Sequence, residues 1–304
     1  MNNLSISKSY LSISSPGTHL VPGNDTLARS LTRDCNIYAS NLKKSHPNRF
    51  GYFAALPLPD ISGSLQEISQ AIEEGCDGFV LMTNSHGKYL GDEELNPVFE
   101  ELNRRKCLVF IHPTTPQCPC SSSSSSSSPE GIAAKGGGEV PVKATPFAGR
   151  MPNPMLEFFF DTARVVTNLF MSGTIQRCPD LKIILPHLGG AAPSLLSRWT
   201  GFSQLVPGPW EGMEEAKVVE VFRKQIWFDM AGFVFPSQIR GLMDGVGVPH
   251  TRLLYGSDFP FTQSDGVELL LGQMEKGVKE LFNEEEIEDL YTRNAQRLLS
   301  SGEA

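Results

Sequence analysis

RLLYGSDFPFT, residues 252–262, is the stretch whose reading decides the fold. Its first four residues form a short, mainly apolar run of the kind that makes a buried strand. Gly256-Ser257 ends that run, Asp258 stands at its carboxyl end, and Pro260 keeps the ladder from continuing. A carboxylate at the C-terminal tip of a buried strand is where α/β proteins place their chemistry. Two earlier stretches have the same form. Cys107 to Ile111 leads into His112-Pro113, and Lys182 to Pro186 leads into His187 and then Leu188-Gly189-Gly190. Three strands thus end in His112, His187 and Asp258. Imidazole and carboxylate are the ligand types of a hydrolytic or Lewis-acid metal such as zinc.

The rest of the chain alternates strand and helix. Further strands are expected near 10–14, 49–56, 78–82 and 226–230. Helices are expected over 24–45, 62–74, 96–105, 155–174, 192–202, 214–224, 237–244, 266–276 and 283–299. Asn24 or Asp25 caps the first helix, whose Leu27, Leu31, Ile37, Tyr38 and Leu42 recur near helical spacing. Leu65, Ile68, Ala71 and Ile72 share a face of the second, and Pro97 suits the first turn of the third. Such alternation means parallel strands with helical crossovers. The count is seven strands, whereas a closed barrel takes eight. An open doubly wound sheet takes seven without a gap, but it does not readily gather strand ends as far apart in sequence as His112, His187 and Asp258. A barrel does so by construction. The expected fold is an α/β protein of the (β/α)8 TIM-barrel type, one domain over residues 1–304, lacking the first strand.

Residues 117–153 interrupt the rhythm. Eight consecutive serines, Ser121 to Ser128, precede Gly136-Gly137-Gly138 and several prolines, a composition that supports no core. A flexible insertion is expected, with a phosphorylated tract as the alternative.

Composition narrows the function. The 304 residues are 40% hydrophobic and 20% charged, enough for a large core. A net charge of -8 argues against a nucleic-acid partner held through a basic surface. No apolar run approaches a membrane span, and the N-terminus lacks a secretory apolar core. The six cysteines are scattered; Cys76 and Cys107 read as small core residues. Cys118 and Cys120 form a C-x-C in a loop, open to a metal or disulfide role, with the plain loop reading favoured because no further ligands stand nearby in the sequence. A cytoplasmic protein is expected.

The motifs also carry a resemblance. FIHPTTP at 110–116, LPHLGGAAPSLLSR at 185–198 and LLYGSDFPF at 253–261 resemble the amidohydrolase superfamily, in its branch of metal-dependent decarboxylases that includes aminocarboxymuconate-semialdehyde decarboxylase and γ-resorcylate decarboxylase. LPLPDISGSL at 56–65, LMTNSHGKYLGD at 81–92 and PMLEFFFDTARVVTNLF at 154–170 are most similar to the 6-methylsalicylate decarboxylase group. The resemblance runs from about Tyr10 to Leu299, apart from the serine insertion. It implies an amidohydrolase-type barrel and a carboxy-lyase acting on a small aromatic carboxylic acid, in fungal secondary metabolism. It implies a divalent metal, Zn2+, with His112 and Asp258 as ligands and His187 as the catalytic histidine. Arg198, eleven residues after His187, would hold substrate carboxylate across a homodimer. The family's first strand carries H-x-H or E-x-H, which supplies two further ligands. No such motif occurs here, so the chain is expected to begin at the family's second strand, as a truncated or degenerate relative. Two protein ligands are fewer than the usual three of a catalytic zinc.

Decarboxylation of a 2-hydroxybenzoate must place negative charge somewhere as carbon dioxide leaves, and the ring carbon must be protonated. Asp258 is the expected proton donor and His187 its partner. Phe233 and Phe235 face two readings, substrate packing or ordinary barrel packing, with the second favoured. Asp229 also ends a strand and reads as a turn or cap residue. His46, His86 and His250 read as solvated, although the 84–87 loop follows a strand and borders the expected site. His19 stands alone in a Gly/Pro loop. The competing functions are a metal-dependent hydrolase of the same superfamily and a non-catalytic remnant.

Overall fold

A computed structural model describes residues 1–118, 142–208 and 213–300. Seven strands form one sheet in chain order: β1 (Ser9–Leu11), β2 (Phe50–Ala55), β3 (Gly78–Met82), β4 (Leu108–His112), β5 (Lys182–Leu185), β6 (Ile226–Asp229) and β7 (Leu253–Leu254). Every neighbouring pair is parallel. The order never reverses, as it would in a doubly wound sheet. Right-handed crossovers therefore put the helices on one face and curl the sheet around the other. Among the described residues β1 pairs only with β2 and β7 only with β6, so the sheet is a curled, open relative of the eight-stranded barrel.

Side chains alternate across the strands. Tyr52, Ala54, Phe79, Leu81, Val109, Ile111, Ile183, Leu185 and Phe228 belong to the large core between sheet and helices. Their neighbours Phe53, Ala55, Val80, Met82, Leu108, Ile184 and Leu254 form a second cluster on the concave face. Leu298 of the last helix, Asn294–Ser300, joins that inner cluster, so the end of the chain packs into the curl of the sheet.

The first helix, α1 (Asp25–Ser45), corrects a sequence expectation. The Asn24 side chain does cap it, accepting from the Leu27 N–H at 3.1 Å. Its buried face, however, is Ala28, Thr32, Asn36 and Ser40, while Leu27, Ile37 and Tyr38 are exposed. The helix meets strand backbone and polar groups, and small hydrogen-bonding residues fit there better than leucines. The Asn36 amide accepts from the Ala55 N–H at 2.9 Å and donates to the Ala55 carbonyl at 3.0 Å. It thereby satisfies the free backbone at the end of β2. Further along, α2 (Ile61–Glu73) buries Ile68 and Ala71 as expected, and Asp60 caps it through the Gly63 N–H. Next come α3 (Asn96–Arg104), α4 (Asn153–Met171), α5 (Ala192–Leu205) and α6 (Glu215–Lys224). The helix α7 (Ser264–Leu281) runs longer than its expected 266–276. The single helix expected over 283–299 is instead a short helix, Glu284–Glu288, opened by an Asn283–Glu286 capping box, then a wider turn over Asp289–Arg293, then the last helix.

Of the insertion, the described ends Gln117–Cys118 and Val142–Lys143 pair as a short antiparallel ladder. The serine run and Cys120 lie outside the described residues. Cys107 is buried and Cys76 partly so; burial pushes their thiols up to about 11 and about 12, which suits packing and not reactivity. No helix among the described residues is long and apolar enough to cross a membrane.

Candidate active site

The sheet brings the three strand-end residues to one rim. His112 is the last residue of β4, while His187 and Asp258 follow β5 and β7. Burial pushes the His112 imidazole below its ordinary range, and neighbouring His187 acts in the same sense. The Pro113 carbonyl and Asp258 oppose that shift. His112 thus lies in the electrostatic reach of both partners.

His187 is held from several sides. Asp229, at the tip of β6, accepts from the backbone N–H of His187 and of Ala231 on one oxygen, each at 3.0 Å. The His187 ring nitrogen Nδ1 lies 3.0 Å from the Ala231 carbonyl, and Phe159 of α4 stacks on the ring at 5.4 Å. His187 and Leu188 have φ of 50° and 53°, a region that non-glycine residues seldom occupy. The two Asp229 bonds help to stabilise that turn, and Gly189-Gly190 complete it. A Cβ at Gly190 would come within 2.6 Å of the Phe159 carbonyl, so only glycine lets α4 approach so closely. Asp258 also has positive φ, 55°, and is tied by Thr262, whose hydroxyl donates to its carboxylate at 3.2 Å.

These bonds assign the ring tautomers. A carbonyl only accepts, so Nδ1 carries the proton in His187 and also in His112, where Nδ1 is 2.7 Å from the Pro113 carbonyl. Each neutral ring keeps its lone pair on Nε2, the state of a base or a metal ligand. The donor types therefore suit a divalent cation. The number does not: among the described residues no three His, Cys, Asp or Glu side chains are grouped to hold a metal ion. The described residues do not by themselves complete a three-ligand catalytic site.

Other expected residues fall elsewhere. Arg198 is exposed on α5, its guanidinium over the Phe202 ring at 4.9 Å. Phe233 is 68% exposed, while Phe235 packs on Gly277 of α7, an ordinary packing role. His46 is exposed as expected. His250 is not merely solvated: it bonds Asp289 at 3.2 Å and joins β7's approach to the last helices. His19 is neither alone nor exposed; it is buried between Asp25 and His86.

Sequence reasoning missed the supports. Asp229 does hold a turn, but it is the turn of His187, contributed by a neighbouring strand. Phe159 carried no signal, because a phenylalanine on an apolar helix reads as core. Asp161 of α4 is fully buried and accepts from Thr83, Tyr89 and Asn84, fixing the loop after β3 to α4. The Asp161-bound loop is the one in which LMTNSHGKYLGD stands.

A one-directional parallel α/β sheet with two imidazoles and a carboxylate at its C-terminal rim defines a barrel-type enzyme. Residues 19–300 match the amidohydrolase family described as Amidohydro_2, and the chain belongs to that family. Decarboxylase macB of Penicillium terrestre is 31% identical over 91% of this chain and 77% of its own length. The 6-methylsalicylic acid decarboxylase of Penicillium expansum is also 31% identical, over 87% of this chain and 74% of its own. A crystal structure of a dihydroxybenzoic acid decarboxylase from a Polaromonas species, with bound manganese, superposes with a TM-score of 0.77. At 20% identity it covers all of this chain and 85% of its own, and speaks for the fold alone. The relatives are carboxy-lyases, and so is the enzyme class of this chain.

Proposed function

We propose that the protein removes the carboxylate of a small hydroxybenzoate of the 6-methylsalicylate type without oxidation. The observation that carries the reading is the convergence of His112, His187 and Asp258 in a chain 31% identical to a 6-methylsalicylic acid decarboxylase. The reaction needs a proton delivered to the ring carbon that bears the carboxylate. The carbon–carbon bond then breaks, its electron pair returns to the ring, and carbon dioxide leaves. Asp258 is the group that passes that proton to the ring carbon, and His187, locked by Asp229 and Ala231, takes and returns protons at Nε2. His112 and Asp258 are the chain's own contribution to a divalent cation, zinc or the manganese type; bound there, it would stabilise charge on substrate oxygens. No proton step above depends on it. Arg198, exposed on α5, is the residue available to reach a substrate carboxylate across a homodimer.

The test is release of carbon dioxide and 3-methylphenol from 6-methylsalicylate by the purified full chain, with zinc or manganese supplied. Release that is lost in His187→Gln and Asp258→Asn supports the proposal. No release from any hydroxybenzoate, with esters or lactones hydrolysed instead, would replace it with a hydrolase.

A further inference from the structure

A cavity of about 270 Å³ opens beside the His112 rim, between the ends of β2 and β3 and the loop after β4. Its size falls just below the usual range of ligand pockets, roughly 300–1,000 Å³, so it suits a single ring. One wall is apolar, built by Leu56, Leu58 and Met82. The other carries His19, His86 and Lys143. Neither the proton steps above nor the strand-end residues use it.

The two histidines are wired in one direction. His19 Nε2 lies 3.1 Å from the Asp25 carboxylate, which accepts, so His19 keeps its lone pair on Nδ1. That Nδ1 accepts from His86 Nε2 at 3.0 Å. His86 Nδ1 is therefore the lone-pair end of the chain, ready to become a donor on gaining a proton. The loop is built to hold this geometry. His86 has φ of 53°, the Asn84 carboxamide accepts from the Gly87 N–H, and Asn84 is bonded to buried Asp161.

We propose that this cavity binds a small aryl carboxylate, its ring against Leu56, Leu58 and Met82 and its carboxylate against His86 and Lys143. The choice of an aryl acid rests in part on the decarboxylase reading; the apolar wall facing the Lys143 ammonium and the protonatable end of His86 is independent of it. In the free protein, burial and His19 hold the His86 imidazole below its ordinary range. The titratable and charged groups around it are His19, Asp25 behind His19, Asp60 within range of His19, and Lys143 across the rim. A bound anion favours the charged ring, so binding takes up a proton and tightens as pH falls.

The experiment is a calorimetric titration of the full chain with salicylate, which reads binding without turnover. Saturable binding at one site is expected, weaker by about tenfold in His86→Gln and by a smaller factor in Lys143→Ala. Lys143 is exposed, so its variant keeps the test valid if His86→Gln loses its native circular dichroism. No saturable binding overturns the proposal. So does unchanged affinity in a folded His86→Gln with unchanged affinity in Lys143→Ala, or displacement of salicylate by equimolar inorganic phosphate. If binding follows the expected pattern while no hydroxybenzoate is decarboxylated, the cavity stands and the reaction proposed above falls. Decarboxylation with binding indifferent to His86 and Lys143 removes the cavity proposal alone.

Discussion

Replacing Asp229 by alanine tests how the His187 turn is held. Two backbone N–H groups, of His187 and Ala231, donate to one Asp229 oxygen at 3.0 Å. Hydrogen bonds to a charged acceptor contribute about 1.5–3 kcal/mol each, and the site is half-buried, so water replaces part of the loss. The expected cost of Asp229→Ala is about 3 kcal/mol. Against a total stability of about 5–15 kcal/mol this is a large fraction. It also releases a non-glycine turn with φ of 50°, which then relaxes and moves the His187 ring away from the Ala231 carbonyl. Asp229→Asn keeps an acceptor oxygen in the same place and is expected to cost less than about 1 kcal/mol. Urea unfolding of the three proteins, followed by circular dichroism, measures the difference. The decisive comparison is Ala against Asn. If the two variants are destabilised equally, the charge and not the pair of N–H bonds holds the turn, and the reasoning is wrong. In a decarboxylation assay the alanine variant should fall by about a hundredfold from misplacement of His187, and Asp229→Asn by much less.

Other outcomes follow from neighbouring features. Asp161→Ala leaves the Thr83, Tyr89 and Asn84 donors without their buried acceptor and should cost about 3–5 kcal/mol by urea unfolding, whereas Tyr89→Phe should cost about 1 kcal/mol. Gly190→Ala should destabilise by more than about 2 kcal/mol, because φ is 59° and the new methyl meets the Phe159 carbonyl; a neutral result would mean that α4 can move. His86 has its folded pKa below the unfolded value of 6.5, so the unfolded chain binds more protons in the window below that value. Stability is therefore full above pH 6.5 and declines as pH falls toward the folded pKa. Melting temperatures at about pH 7.5 and about pH 5.5 should show the decline, and His86→Gln should reduce it. Replacing both His112 and Asp258 by alanine should abolish any metal content that elemental analysis finds in the wild-type chain; retained stoichiometric metal would move the cation elsewhere.

The strand ends were legible in the sequence because they follow a local rule. A buried parallel strand is a short apolar run, and what breaks it is written in the next residues: His112-Pro113, Pro186-His187, Gly256-Ser257-Asp258. All seven strands stand where such runs occur. Periodicity failed on α1, since Leu27, Ile37 and Tyr38 have helical spacing yet lie outward. The helix buries polar and small residues against the end of β2, a preference that depends on the neighbour and not on the helix. The 117–153 segment announced itself by composition, which tells where a core is not made.

What no local pattern could supply is the meeting of distant residues. Asp229 reaches the turn of His187 across 42 positions, and Asp161 fixes a loop 72 to 78 positions earlier. His19 and His86 meet across 67 positions to build one wall of a cavity. Hydrophobic alternation and strand-ending residues are properties of a few consecutive positions, so the sequence by itself determined the parallel α/β architecture and the three rim residues. Which tautomer each histidine holds, which carboxylate orients it and where the cavity opens depend on hydrogen bonds between separate elements. Those partners exist only once the sheet has curled and brought its strand ends to a common rim.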